Sequence, residues 1–68
     1  MQGDEGARLW VEIRLRNLAL YEVAGRVRVN PGKLSRSLRG LEPLSPDLAD
    51  RIREVIEQED EVVRRVVG

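Results

Sequence analysis

Between positions 26 and 40 the chain carries Arg26, Arg28, Lys33, Arg36 and Arg39 and no acidic residue. Arginine presents a planar fork of N–H donors that fits phosphate oxygens or the O6 and N7 edge of guanine, and lysine adds a compact point charge. Among them stand Asn30, Gly32 and Ser35, residues that let a backbone come close to a partner or supply a small polar contact. The chemistry on offer is recognition of an anionic, hydrogen-bonding surface. Catalysis is not on offer. The 68 residues include no His and no Cys, which excludes disulfides and the usual zinc ligand sets, and they contain no glycine-rich phosphate loop. Asp47 and Asp50, three apart, read as complement to a helix dipole and as solvent face. No enzyme activity, no metal and no cofactor is expected.

Presenting those cations requires a helix with its opposite face buried. Asn30 is a good N-cap, Pro31 suits the first helical position, and Gly40 stops the helix, so a helix is predicted over about 31–39. Leu34 and Leu38 face inward at i, i+4, which leaves Gly32, Lys33, Ser35, Arg36 and Arg39 outside. A shorter helix precedes it, from about Leu20 to Val27, with Val23, Ala24 and Val27 as its inner set. Gly25 within it marks either a close helix approach or an exposed turn without a side chain, at about 1 kcal/mol relative to Ala. Two helices meeting at Asn30-Pro31-Gly32 make the arrangement of a helix-turn-helix, at about 20–39.

The remaining elements supply the core. Residues 1–6 read as a flexible polar lead, and a first helix runs from about Ala7 to Arg16 with Leu9, Trp10 and Ile13 on one stripe. Trp10 reads as a core anchor rather than a stacking platform, and Asn17 ends the helix in the left-handed conformation. Ser45 caps a fourth helix with Pro46 at its first position, and Leu48, Ile52, Val55 and Ile56 form its inner stripe. Leu41 and Leu44 are expected to close the core from the loop before it. In the tail, residues 57–68, Val62, Val63, Val66 and Val67 recur as a helical face, so a fifth helix or a continuation of the fourth is favoured over a strand. The fold class expected is all-α with four or five helices: a domain over 7–56 and a tail that serves as dimer contact or folds back on its own core.

A chain this short sits near the lower limit for a self-sufficient core, and without disulfide or metal the remaining support is oligomerisation. No apolar run approaches the roughly 18 residues of a membrane span, and no leader pattern is visible. A cytoplasmic protein with no membrane partner is expected. Formal charge is zero, with twelve basic and twelve acidic side chains, yet residues 41–68 hold eight acids against four arginines. A partner responds to local potential, so the basic stretch is read as a binding surface despite the neutral sum.

The segment Asn17–Gly40 resembles the lambda-repressor-like (xenobiotic-response-element) helix-turn-helix family of bacterial and phage regulators, with a likeness extending over about residues 8–56. Val23-Ala24 is similar to the family's Leu-Ala pair, Val29 and Leu34 fall on its buried turn and recognition-helix positions, and Leu34-Ser-Arg-Ser-Leu-Arg-Gly40 is similar to its Val-Ser-Arg-Ile-Glu-Arg-Gly ending. Ser45-Pro-Asp resembles the start of its fourth helix. Leu20 stands where many members have a phosphate-binding Gln, Ala19 replaces a Ser/Thr cap, and Arg28 replaces the turn glycine.

The resemblance implies a small transcriptional regulator, a repressor by preference, that binds double-stranded DNA as a homodimer. Gly32, Lys33, Ser35 and Arg36 are the candidate base contacts, with Arg36 the main reader. Tyr21, Arg28, Asn30 and Arg39 are the candidate phosphate contacts, Tyr21 being equally readable as a half-buried surface aromatic. Val62, Val63, Val66 and Val67 are the candidate dimer contact. The alternative is a protein-binding module on the same fold, antitoxin-like or gripping polymerase or another repressor, acting through the acidic C-terminal half.

Overall fold

A computed structural model describes residues 3–67, with side chains from 5 to 66. The chain is all-α: α1 (Gly3–Leu15), α2 (Leu20–Val27), α3 (Pro31–Leu38) and α4 (Pro46–Val67), with no strand among the described residues. Among those residues no helix is long and apolar enough to cross a membrane.

Short-range chemistry sets most of the boundaries. Asn30 Oδ1 accepts a hydrogen bond from Gly32 N–H at 2.8 Å, and Ser45 Oγ accepts one from Leu48 N–H at 3.2 Å, each satisfying a donor at a helix start. Ala19, before α2, supplies no side-chain cap. The first three helices end on residues with positive φ: Asn17 at 59°, Arg28 at 62° and Gly40 at 83°. In each case the following N–H reaches back to a carbonyl five residues earlier: Leu18 to Ile13, Val29 to Ala24, and Leu41 to Arg36. Glycine and asparagine suit that conformation. Arginine does not, and Arg28 holds it at a cost of about 1 kcal/mol.

The core is Leu9 and Ile13 of α1, Val23, Ala24 and Val27 of α2, Leu34 and Leu38 of α3, and Leu48, Ala49, Ile52, Val55 and Ile56 of α4. Leu20, Val29 and Leu44 pack against it partly buried. Gly25 lies in open space, with nothing within 4 Å of a side chain built there, which decides for the exposed-turn reading.

Three expectations change. First, α1 begins at Gly3, so residues 3–6 of the supposed flexible lead are helical and only residues 1 and 2 lie outside the described residues. The reason is tertiary: Gly6 is buried, and a Cβ there would meet the Leu38 carbonyl oxygen at 2.9 Å and that of Ser37 at 3.1 Å. Only a glycine lets α1 cross the end of α3 this closely. Second, Trp10 packs at the margin of the core, half-buried, with the Arg39 guanidinium 5.9 Å from its ring centre. Third, Leu41 is 70% exposed and leaves closure of that side to Leu44. The tail, expected as a fifth helix or a continuation of the fourth, is the continuation: α4 is a single helix of 22 residues, and its valines keep the period of the stripe before them. At 1.5 Å per residue α4 is about 33 Å long, nearly the 38 Å long axis of the molecule.

Candidate nucleic-acid interface

On α3, Leu34, Ser37 and Leu38 are buried. With about 100° between successive residues, Gly32, Arg36 and Arg39 run along the opposite line, flanked by Lys33 and Ser35. Gly32, Lys33, Arg36 and Arg39 are exposed and Ser35 is half-buried, so the structure does bring these residues onto one outer face. Arg28 is exposed in the turn before α3, and Tyr21 is 70% exposed in the first turn of α2. That exposure excludes the half-buried reading of Tyr21 and leaves its hydroxyl available. Asn30 is exposed, but its Oδ1 is occupied by the cap, so only its amide N–H groups remain for a partner.

The cations of this face are not equally loose. Arg36 Nε donates to Glu42 Oε1 at 3.1 Å, while its Nη1 lies 3.4 Å from where a side chain at Gly32 would begin. Its guanidinium is thereby carried toward the start of α3 over the gap that Gly32 leaves. Arg39 is held over the Trp10 ring, a cation–π contact that uses the face of the indole. Lys33 and Arg28 have no ion-pair partner among the described residues. Arg26, though part of the same basic run, turns away. Its guanidinium donates to Gln58 at 2.8 Å and Glu59 at 3.5 Å, tying α2 to α4.

Elsewhere most acids are paired. Arg16 forks onto Asp60, Nε to Oδ1 at 2.7 Å and Nη2 to Oδ2 at 2.8 Å, clamping the end of α1 to α4. That hydrogen bonding holds the Asp60 carboxyl below its ordinary range and raises the Arg16 guanidinium further. Arg51 pairs with Asp47 at 3.1 Å, Arg53 with Asp50 at 2.9 Å and with Glu5, and Arg65 with Glu61 at 3.2 Å. Five of the seven acids of α4 are thus paired, with its own arginines, with Arg16 just after α1 and with Arg26 of α2, while Glu54 and Glu57 have no ion-pair partner among the described residues. Glu42 is the acid paired to α3.

At the far end, Val62, Val63 and Val66 are 53%, 52% and 81% exposed, and the side chain of Val67 lies outside the described residues. Val63 and Val66 prolong the line of α4 that buries Ile52, Val55 and Ile56, past the point where the other helices cover it.

Two residues beside this candidate face were not singled out from sequence: Glu42, counted only among the acids of the second half, and Trp10 in its place beneath Arg39. Glu42 comes six residues after Arg36, across a chain reversal at Gly40 that a helical period does not anticipate. Compared with known proteins, the chain matches no family model, no curated protein and no solved structure.

Proposed function

We propose that the chain is a sequence-specific double-stranded DNA-binding protein, a small cytoplasmic transcriptional regulator of the repressor kind, with a lambda-repressor-like arrangement in which α3 enters the major groove. The observation that carries this reading is the outer face of α3: Lys33, Arg36 and Arg39 exposed on a short, firmly capped helix, while five of the seven acids of α4 are paired with arginines outside that face. Arg36, with Gly32 beside it, reads guanine; Lys33 and Ser35 read neighbouring positions. Arg28, Arg39, Tyr21 and the Asn30 amide hold phosphates and fix the orientation. A second copy joins through Val62, Val63, Val66 and Val67, because one α3 spans few base pairs and paired half-sites lie about one helical turn apart.

The test is fluorescence anisotropy with random-sequence duplex DNA over a range of salt. Binding should weaken steeply with salt, by about 0.9 log units of affinity per log unit of salt for each phosphate neutralised. Arg36→Ala should cost about 1–3 kcal/mol at one base pair of a selected site. Absence of binding at low salt would remove this reading. It would favour the second one, a protein-binding module, for which the exposed valines on the unpartnered end of α4 are the specific observation.

A further inference from the structure

We infer that Glu42 is a specificity-determining positioning residue: it holds the Arg36 guanidinium so that its paired terminal nitrogens, and not its Nε, meet the base edge. The inference rests on the reading of α3 as a DNA-binding helix and adds to it a residue outside that helix.

Three observations converge. Arg36 uses Nε on Glu42 Oε1 at 3.1 Å, and its Nη groups have no hydrogen-bond partner among the described residues. Guanidinium offers five N–H donors; with Nε taken, the remaining four sit on Nη1 and Nη2, the end that matches guanine O6 and N7 as a pair. Next, the loop that carries Glu42 is built onto Arg36 itself. The N–H groups of Leu41 and Glu42 donate to the Arg36 carbonyl oxygen at 2.9 and 3.3 Å, and Gly40, at φ 83°, makes the reversal that brings them there. Main chain and side chain of one residue therefore both register on Arg36. Last, Arg36 Nη1 lies 3.4 Å from where a Cβ at Gly32 would stand, an ordinary contact distance, which places the guanidinium beside the end of the helix whose residues enter a groove deepest. An exposed pair of this kind adds little to stability, yet it biases Arg36 toward one rotamer, so less freedom is lost when that arginine binds. The Glu42 carboxylate also repels phosphates, so it disfavours loose binding anywhere while supporting the aligned contact.

The experiment is selection of binding sites from a randomised duplex pool with the native chain, Glu42→Gln and Glu42→Ala, alongside anisotropy on random duplex and thermal melting. Glu42→Gln keeps an acceptor for Nε; Glu42→Ala does not. The native chain should enrich a site with a defined guanine. Glu42→Ala should lose about tenfold or more of the discrimination at that position, and Glu42→Gln should recover part of it, with melting unchanged and random-DNA affinity raised in both. If all three select the same site with equal discrimination, and the variants merely bind all DNA more tightly, Glu42 is only a local repulsive charge and the positioning role is wrong. If the native chain binds random DNA but enriches no sequence, α3 reads no base and the positioning role falls while DNA binding stands. If it binds no DNA at low salt, both fall.

Discussion

On α4, Arg51, Arg53 and Arg65 each pair with an acid three or four residues away on the same helix; on α3 no acid exists to pair with. The consequences differ in kind. Pairs of the α4 type are exposed, screened and individually worth little, so they leave a surface that is electrically quiet at a distance. The cations of α3 are instead steadied from other elements, Arg36 by the loop at Glu42 and Arg39 by Trp10 of α1, or stand unpaired as Lys33 does. A net charge of zero is therefore the sum of two regions that would meet a polyanion very differently.

The contrast depends on α3 being held at a fixed pose, and the most damaging single change to that pose is at Gly6. Gly6→Ala drives a methyl into the carbonyl oxygens of Leu38 and Ser37, so it should destabilise by about 1–3 kcal/mol in chemical denaturation. It should also weaken DNA binding without touching a basic residue. Unchanged stability would mean that α1 does not set the position of α3. Gly25→Ala gives the opposite sign: a side chain at Gly25 meets nothing, and the gain in helix propensity should stabilise by about 1 kcal/mol with DNA affinity unchanged.

Arg28→Gly sharpens the comparison by separating charge from backbone. Relief of the left-handed conformation at φ 62° should stabilise the fold by about 1 kcal/mol. Loss of the cation should lower the salt slope of DNA binding by about 1. A stability gain with no change in slope would remove Arg28 from the phosphate contacts.

The smallest expected effect lies on α4. Arg16 donates to Asp60 and depresses its carboxyl below the ordinary value of 3.8, so the folded state binds that proton more weakly than the unfolded chain. The pair's contribution is complete above the unfolded value and fades as pH falls through the lower folded value. Melting temperature should drop on acidification below about pH 4, and Asp60→Asn should flatten that drop while leaving DNA binding at neutral pH alone. A variant with the native acid profile would show the clamp to be idle.

What was legible in the sequence follows the range of the interactions. The starts of α3 and α4 depend on Asn30 with Pro31 and Ser45 with Pro46, all local, and both helices begin where those residues place them. The inner stripe of α4 was readable from its period for the same reason. The start of α1 was not, because Gly6 is a flexible residue by composition and a packing residue only once α3 crosses it. In the tail, valine's preference for strands competed with helical spacing, and continuity with the apolar stripe of α4 prevailed. Within the candidate face the exposed cations were readable from spacing. The groups they touch, Glu42 and Trp10, were hidden because one lies beyond a reversal and the other on a different helix.

The most direct measurement removes three cations from each region in turn. Native chain, a Lys33/Arg36/Arg39→Ala variant and an Arg51/Arg53/Arg65→Ala variant, each confirmed helical by circular dichroism, would be titrated against random-sequence duplex DNA at several salt concentrations. Both variants lose the same formal charge. If α3 is the DNA-binding face, the first should lose its salt-steep binding, its slope falling by about 2 to 3, while the second keeps a slope close to native. Equal losses in the two variants, or no binding by the native chain at low salt, would contradict it.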